Sequence, residues 1–539
     1  MFQPKSRFFR KHPWIRRLVL YPFLAGSGFL VLIFVILCGR SWGPDRGYRV
    51  DAFKGPQEGS GNGPLWVGVA QRDITPDLSQ YDRFVDVDGD NKYNPAKGDY
   101  FEDTNGNGRV DAVWLAGFGN NRPAQGVHDP LWARAIAFEN HGVRVVLVTV
   151  DSIGMFYEKT LEIRKLLDPG LKIDHLMVST THNHQAPDTM GIWSVGLEKP
   201  HFRFDYAYMN LVVRSVADAA MDAVRNMEPA EAVLAETEVG PEGFVNDSRL
   251  PHVYDNVIRC ARFVRLGSDE TIGTLLVWGC HPETLGGSNP WITSDFIHFW
   301  REGVEHGLSE PNGAQGLGGM CLFFQGQLGG LMTQLHTTVP DRQTDEQYRE
   351  ASFEKARALG ENLALATLRE IQGPSAWRAR DNRVAFCART VFVPVKPLFA
   401  LGVILGVVHP GFYWGKVKTE VNAFRVGEIE ILTIPGEIYP EICEGGVEAP
   451  EGRDFPIQPV EVPPLRSLMR GRLNMIMGMA NDELGYIIPK SQWDTKEPYA
   501  YGRDKPQYGE FNSFGPDVAP TLHAASMDVL RELHERSGI

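Results

Sequence analysis

Three histidines in this chain have the spacing and setting of metal ligands. His182 and His184 follow an apolar run, 174–180, that is typical of a buried strand, and His281 follows another such run, 274–279. Because residues i and i+2 of extended backbone face the same side, the first two imidazoles can approach one ion. Neutral imidazole is the commonest metal ligand. A lone His-x-His is also common as two polar residues at a strand end, so the surrounding sequence has to decide between these explanations.

Two carboxylates occupy the same kind of position. Asp151 follows the apolar strand 144–150, and Glu437 follows the strand 428–434 within a Pro-Gly-Glu tripeptide. Taken alone, Asp151 could cap a helix and Glu437 could stabilise a helix N-terminus. Several histidines with a carboxylate are an ordinary zinc inventory, however, and sites in α/β folds form where strands end. The repeated placement favours a metal site.

Apolar runs and amphipathic stretches alternate along the chain and predict an α/β fold. Strands 144–150 and 174–180 flank an amphipathic helix, 157–167. The sequence contains no internal repeat. The other predicted helices are 205–226, 295–306, 345–371 and 518–535, and the other predicted strands are 231–239, 257–266, 271–279, 320–324, 384–394, 420–426 and 428–434.

The composition limits the partners. With 539 residues, 43% of them hydrophobic, the chain is long enough to bury a large core. Its net charge of −13, with no basic block beyond the N-terminal segment, argues against nucleic acid as a partner. Its six cysteines are scattered without a CxxC pair and do not fix the redox compartment.

The N-terminus has the pattern of a membrane anchor. Residues 18–38 carry no charge and have the length that a helix needs to cross a bilayer. Basic residues precede them, so we expect a single-pass protein with a cytoplasmic tail over 1–17, a linker over 39–64 and a periplasmic or extracellular domain over 65–539. A cleaved signal peptide is the alternative, but the apolar run is long for one and no small-residue cleavage site follows it.

An acidic insertion, 77–112, lies near the start of the folded part. Its alternating carboxylates and carboxamides, with glycine at the sixth loop position, suit a structural calcium ion. Trp114 stands at the twelfth position in place of the usual glutamate, so the segment is no ordinary EF-hand. A solvated acidic loop is the alternative. The candidate calcium ligands are Asp86, Asp88, Asp90, Asp103, Asn105, Asn107 and Asp111.

A second apolar stretch, 398–408, runs into an aromatic cluster over 409–414. It is too short to span a bilayer, and a buried strand or helix is the common structure for such a run. The alternative is an exposed loop that dips into lipid and guides an acyl chain toward the metal.

Blocks spread from about residue 66 to residue 525 resemble the neutral ceramidases, zinc amidases that hydrolyse the N-acyl bond of ceramide. The family's His-Thr-His-Ser-Gly-Pro is similar to His182-Asn-His184-Gln-Ala-Pro187, and its third-histidine block is similar to His281-Pro-Glu-Thr-Leu. The resemblance covers the catalytic domain, and we expect the family's C-terminal β-sandwich domain to be absent. Further similar blocks are Val67-Gly-Val-Ala-Gln-Arg-Asp-Ile-Thr-Pro76, Leu115-Ala-Gly-Phe-Gly119, Gln125-Gly-Val-His128-Asp-Pro, Ile292-Thr-Ser-Asp295, Pro435-Gly436-Glu437 and Ala480-Asn-Asp-Glu-Leu-Gly-Tyr486.

The resemblance implies a mixed-sheet catalytic domain whose zinc ion is held by His182, His184, His281, Glu437 and Tyr486. Zinc in such a site activates a water for attack on the amide carbonyl. The resemblance also implies that His182 and Tyr486 take part in catalysis. The residues expected to orient the ligating imidazoles or relay protons are His128, Asp151 and Asp295.

One block departs from the family. Its Gly-Asp-x-Ser/Asn-Pro aligns with a stretch in which Gly330 replaces the aspartate and Met332 replaces the serine. A zinc-activated water does not need that hydroxyl, and Thr333 could compensate for its loss. The expected function is therefore hydrolysis of ceramide or a related N-acyl lipid. The alternatives are a zinc hydrolase of a different amide or ester, and a catalytically silent, membrane-anchored zinc-binding relative.

Overall fold

Two β-sheets packed face to face form the centre of the protein. The computed structural model describes residues 14, 16–41, 45, 47–57, 59, 61–108, 110–193, 205–397, 399–400, 402, 411 and 413–537. Apolar side chains of both sheets, such as Val145 and Phe324 from one and Phe386 and Met475 from the other, share a single buried cluster. Helices cover the outer faces, so the layers run helix, sheet, sheet, helix. The predicted α/β class is confirmed.

The larger sheet has nine strands of mixed direction. Its first and last pairs are parallel, and the pairs between them are antiparallel. Inner strands such as Thr271–Trp278 are buried along their whole length because both faces of the sheet are covered. In spatial order the strands are Met320–Gln325, Thr271–Trp278, Val257–Arg265, Glu228–Glu238, Leu65–Asp73, Trp132–Asn140, Val143–Val150 and His175–Thr180, with Trp377–Arg378 paired beside Glu228–Glu238.

The smaller sheet has five strands. In spatial order they are Asp51–Lys54, Val384–Pro394, Lys416–Val426, Ile429–Thr433 and Leu473–Met477. The edge strand Asp51–Lys54 lies inside the predicted linker 39–64 and pairs in register with Val384–Pro394. The sheet therefore recruits chain from before residue 65.

Each outer face carries its own helices. Tyr206–Arg225 packs on strands Leu65–Asp73 and Trp132–Asn140, and its first turn is capped by Asp205, whose carboxylate accepts the Ala207 and Tyr208 N–H groups. Phe296–His306 and Phe353–Ile371 cover the other half of the nine-stranded sheet. Val518–Ser537 covers the five-stranded sheet. Further α-helices among the described residues are Tyr21–Ser41, Tyr157–Leu166 and Pro440–Glu444, with a π-helical turn at Arg16–Leu20.

Short strand pairs tie together the loops at the sheet ends. Glu437–Ile438 pairs in parallel with Tyr486–Ile487, and Asn246–Asp247 pairs with Met332–Thr333. The acidic insertion is built on the antiparallel pair Arg83–Val85 and Tyr100–Glu102. The other pairs are Gly126–Val127 with Trp291–Ile292, Gly307–Leu308 with Ala314–Gln315, and Val339–Pro340 with Gln347–Tyr348.

The structure does not support the predicted membrane anchor over 18–38. A helix forms there, but it begins only at Tyr21 because Arg16–Leu20 takes a π-helical turn. Among the residues that the structure describes, no helix is both long enough and apolar enough to cross a membrane.

Only part of the apolar stretch 398–408 and the aromatic cluster 409–414 can be described. Residues 398, 401, 403–410 and 412 lie outside the described residues. Phe399 packs on Phe514 with ring centroids 5.3 Å apart and joins the core under the Val518–Ser537 helix. Phe399 thus fits the buried alternative, and the described residues do not support a lipid-contacting loop.

Candidate metal centre

Three buried histidines converge where strands of the nine-stranded sheet end. His182 and His184 follow His175–Thr180, and His281 follows Thr271–Trp278. One ring nitrogen from each lies within 4.8 Å of the others, and the ring centroids are 5.0 to 5.5 Å apart. The structure therefore brings together the three histidines that the sequence singled out, in a geometry that can hold a metal ion.

Main-chain carbonyls orient two of the rings. His182 Nδ1 lies 2.7 Å from the Ile153 carbonyl oxygen, and His281 Nδ1 lies 2.7 Å from that of Met332. A carbonyl can only accept, so each Nδ1 carries a proton and each Nε2 faces the cluster. His182 reaches this position with a backbone φ of 59°, in the left-handed region that is uncommon for residues other than glycine.

Glu437 supplies a carboxylate from the other sheet. It follows the strand Ile429–Thr433, and its Oε2 lies 3.0 Å from His281 Nε2 and 3.6 Å from His182 Nε2. Burial alone would raise the pKa of Glu437, but His182 and His281 outweigh burial and lower it. An ionised carboxylate beside two imidazole nitrogens completes a ligand set of the kind that zinc takes.

His184 is the ring whose nitrogens most need a ligand. Both are buried, and neither has a hydrogen-bond partner among the described residues. Burial holds the pKa of His184 well below its usual range, so the ring is neutral and able to ligate. A ring with two unsatisfied nitrogens, one of which can face the other two imidazoles, fits a bound cation better than an apo core.

Tyr486 stands beside Glu437. The parallel pair of short strands places the two residues in register, and the Tyr486 hydroxyl hydrogen-bonds to the Glu437 carboxylate. Burial raises the pKa of Tyr486 well above its usual range. The Tyr486 ring also packs edge-on against Tyr508, with centroids 5.7 Å apart. The predicted fifth ligand thus lies at the cluster as a protonated phenol.

The other three predicted site residues are engaged elsewhere. Asp151 accepts hydrogen bonds from Arg301 at 2.8 and 3.2 Å. His128 pairs with Asp129 at 2.8 Å and stacks on a phenylalanine ring. Asp295 accepts the Phe296 N–H at 2.6 Å and so caps a helix. Among the described contacts, none of these side chains reaches the three histidines.

Two buried glutamates at the site were not predicted from the sequence. Glu283 Oε2 lies 3.4 Å from His184 Nδ1, and Glu483 interacts electrostatically with Glu437. The signal that could have identified them is their closeness in sequence to predicted ligands. Glu283 follows His281 by two positions, and Glu483 precedes Tyr486 by three. Both lie inside blocks whose resemblance to the family drew attention to other residues.

The departing block acts on the site through its backbone. The Met332 carbonyl accepts hydrogen bonds from both the main-chain N–H and Nδ1 of His281, while the Met332 side chain is buried in the core. Thr333 hydrogen-bonds through its hydroxyl to Glu283. Gly330 has a φ of 78°, and a Cβ there would lie 3.1 Å from Asp247 Oδ1. The family's serine hydroxyl therefore has no counterpart at position 332.

In the acidic insertion, one cluster of three carboxylates forms. Asp86, Asp88 and Asp90 can place one oxygen each within 4.8 Å of the others, and Lys97 forms ion pairs with Asp88 and Asp90 at 2.6 and 2.7 Å. Asp103 instead accepts main-chain N–H groups of its own loop. The amides of Asn105 and Asn107 donate to Asp111.

Comparison with known proteins identifies the fold. No family model matches the sequence. A crystal structure of neutral ceramidase from Pseudomonas aeruginosa superimposes with a TM-score of 0.61 at 16% identity, covering 88% of this chain and 75% of the other. A structure of a ceramidase complexed with C2 superimposes with a TM-score of 0.60, also at 16% identity, covering 88% and 76% of the two chains. The chain has a neutral ceramidase-like fold.

Proposed function

We propose that this chain, which has the neutral ceramidase fold, is a zinc-dependent hydrolase of the amide bond in ceramide or a related N-acyl lipid. One observation carries the proposal. The three histidines and Glu437 converge in a buried cluster at the sheet ends of this fold, with the nitrogens of His184 unsatisfied. The donor set of imidazoles and a carboxylate is one that zinc prefers.

The residues divide the work of holding a metal. His182, His184 and His281 would hold the ion through ring nitrogens, and Glu437 through Oε2. A zinc ion bound there would lower the pKa of a bound water, so that hydroxide would be available as the nucleophile at neutral pH. Tyr486 keeps its proton because burial raises its pKa. Its hydroxyl donates to Glu437 in this structure, and it can stabilise the oxyanion that develops from the carbonyl by exchanging Glu437 for that oxygen as its acceptor.

Apolar side chains beside the cluster support a lipid substrate. Phe118 packs edge-on against His184 with ring centroids 5.0 Å apart. A separate apolar cluster includes Ile153, whose carbonyl orients His182, and Trp193. A hydrocarbon chain bound here would exclude water from the reacting amide.

A second candidate, hydrolysis of a different amide or an ester, rests on position 332. A buried methionine stands where the family's serine would be, so contacts that such a hydroxyl makes to the substrate are missing. This change supports an altered leaving group or headgroup. It leaves the proposed metal ligands intact.

A substrate panel with metal analysis tests these proposals. The purified full chain is loaded with zinc, its metal content is measured by mass spectrometry, and turnover is assayed on ceramides, other N-acyl lipids, simple amides and esters. We expect zinc binding and turnover of N-acyl lipids, both lost in His281→Ala and both kept in His336→Ala, a matched change of an exposed histidine. Turnover of esters alone would favour the second candidate. Zinc binding without turnover of any substrate would identify a catalytically silent relative.

Calcium binding and the location of the domain are separate proposals. The carboxylates of Asp86, Asp88 and Asp90 support a calcium ion in the acidic insertion. Basic residues followed by an apolar run are also the pattern of an export signal, and on that basis the catalytic domain is proposed to lie outside the cytoplasm.

A further inference from the structure

Glu283 is a buried carboxylate that forms no ion pair with an arginine or lysine among the described residues, although the nearby His281 favours its charged form. The residue is 3% exposed, and its only ion-pair contact among the described residues is with His184. Its Oε1 has no hydrogen-bond partner in that part of the chain. A carboxylate is costly to bury unless it interacts with a charge or a donor, so the position needs an explanation.

The three histidines differ in what holds Nδ1. Carbonyl oxygens of Ile153 and Met332 fix the Nδ1 atoms of His182 and His281. His184 has no such carbonyl, and the carboxylate oxygen of Glu283, at 3.4 Å, is the group that faces its Nδ1. Ligating histidines almost always donate their other ring N–H to a carboxylate, a carbonyl or water.

The surrounding backbone holds the pair together. The His184 main-chain N–H donates to the Pro282 carbonyl at 3.1 Å, which ties the segment carrying His184 to the segment carrying Glu283. The Gly117 backbone also closes on the ring, so tightly that a Cβ would lie 2.5 Å from Nδ1. Gly117 and Glu283 together restrict the space around Nδ1.

We propose that Glu283 is a positioning residue that accepts the Nδ1–H of His184 and so turns His184 Nε2 toward the bound metal. The inference rests on the metal-binding part of the proposed function and not on which bond is cleaved. Thr333 follows Met332 in the block that departs from the family. Its hydroxyl hydrogen-bonds to the same carboxylate and so holds Glu283 in place. The metal would balance the buried negative charge through the imidazole.

Zinc affinity of the full-length chain, measured by competition with a chromophoric chelator, tests the proposal without reference to activity. We expect Glu283→Ala to weaken zinc binding by about 10- to 100-fold. Glu283→Gln keeps the size and one acceptor oxygen but loses the charge, so we expect a smaller loss. The matched control is Glu461→Gln, which alters another buried glutamate with an unpartnered Oε2, and it should leave the affinity unchanged.

A double-mutant cycle separates positioning from a general effect on the fold. If Glu283 acts through His184, adding Glu283→Ala to His184→Ala should cost no more than about a further twofold in zinc affinity. Independent, additive losses would overturn the proposal, and so would unchanged affinity in both Glu283 variants. If Glu283→Ala fails to fold, as judged by circular dichroism, the isosteric Glu283→Gln carries the same cycle. If the wild-type protein binds zinc but hydrolyses no substrate, the proposed reaction is wrong and the proposed role of Glu283 is unaffected.

Discussion

Gly117 leaves room for the His184 ring because it has no side chain. An added methyl group at this position would collide with the ring. A Cβ on Gly117 would meet His184 atoms at 2.5 to 2.7 Å, and the φ of 97° already favours glycine. Gly119, two residues on, has a φ of 75° but open space around its Cβ position. An alanine at either position strains the backbone, but only an alanine at Gly117 would also collide with the His184 ring. Comparing the two variants therefore separates the two effects.

We predict that Gly117→Ala weakens zinc binding by more than tenfold and lowers turnover by a similar factor. A tenfold change in affinity corresponds to about 1.4 kcal/mol. Gly119→Ala should cost about 1 kcal/mol of stability and leave zinc affinity as it is. Chelator competition and thermal unfolding of both variants provide the comparison. Equal zinc affinity in the two variants would show that His184 is not confined as described.

The residues that could be predicted from the sequence are those that end apolar strands. His182, His281 and Glu437 each follow such a run, and the structure joins all three. The contact between Glu283 and His184 could not be predicted, because the two residues lie about a hundred positions apart and no local pattern reports it. Asp151 also ends a strand, but its carboxylate pairs with Arg301, so its predicted role as an orienting or relay residue stays a prediction.

At the scale of elements, a buried ion pair fastens the Tyr157–Leu166 helix to the five-stranded sheet. Arg164 donates to both Glu420 oxygens at 2.8 Å, and Tyr157 donates to the same carboxylate at 2.7 Å. Burial opposes ionisation of Glu420, but Arg164 and His175 outweigh burial and hold the pKa of Glu420 far below its usual range. Removing one partner leaves the other as an uncompensated buried charge.

We predict that Arg164→Met lowers the free energy of unfolding by about 3–5 kcal/mol at neutral pH. Because the pKa of Glu420 is depressed in the folded state, the stabilisation is complete above the unfolded pKa of about 4.3 and is lost as the pH falls below it. The difference between wild type and variant should therefore shrink on acidification. Urea titrations at pH 7 and below pH 4 measure it.

The exposed pair between Arg225 and Asp222 is the control for that experiment. Arg225→Met should cost roughly 0–1 kcal/mol, because the pair is largely solvated. A loss for Arg164→Met as small as this would contradict a stabilising role for the buried pair.

The acidic insertion makes a prediction at the same scale. The Lys97 ammonium lies where a calcium ion would bind to Asp88 and Asp90, so the lysine and calcium would compete. We expect added calcium to raise the melting temperature of the wild type, and Lys97→Met to bind calcium more tightly by titration calorimetry. Asp88→Asn should abolish the response. If neither the wild type nor Lys97→Met responds, the insertion is a solvated acidic loop.

The type of most helices and strands could be predicted from the sequence, but their boundaries could not. The helix expected over 345–371 begins at Phe353, because Ser352 caps it through a hydrogen bond to the Lys355 N–H. The strand Asp51–Lys54 was missed because a four-residue edge strand has no periodicity long enough to recognise. The layering of one sheet on the other depends on contacts such as Val145 with the strands after residue 384, which local patterns do not encode.

At the scale of the whole molecule, the candidate metal centre joins the two sheets. Its histidines belong to the nine-stranded sheet, while Glu437 extends from the five-stranded sheet. A bound ion would thus bridge the two layers at one end of their shared core. Ligands that bind only the folded state stabilise it in proportion to the logarithm of their concentration.

We predict that chelation of zinc lowers the melting temperature of the whole chain and that zinc restores it. At free zinc about a thousandfold above its dissociation constant, the stabilisation should be about 4 kcal/mol. His281→Ala should melt at the same temperature with and without zinc. A zinc-dependent shift that survives in this variant would place the metal elsewhere.

Because the ligands come from two sheets, the order of synthesis limits when metal can be captured. Glu437 lies 156 residues after His281. At a synthesis rate of about 5–20 residues per second, His281 leaves the ribosome roughly 8–30 s before Glu437, and the other two histidines leave earlier still. During that interval the imidazoles lack both the charge of Glu437 and the support of the second sheet. We therefore expect metal uptake to be a late event in folding, one that marks a chain whose two layers have already docked.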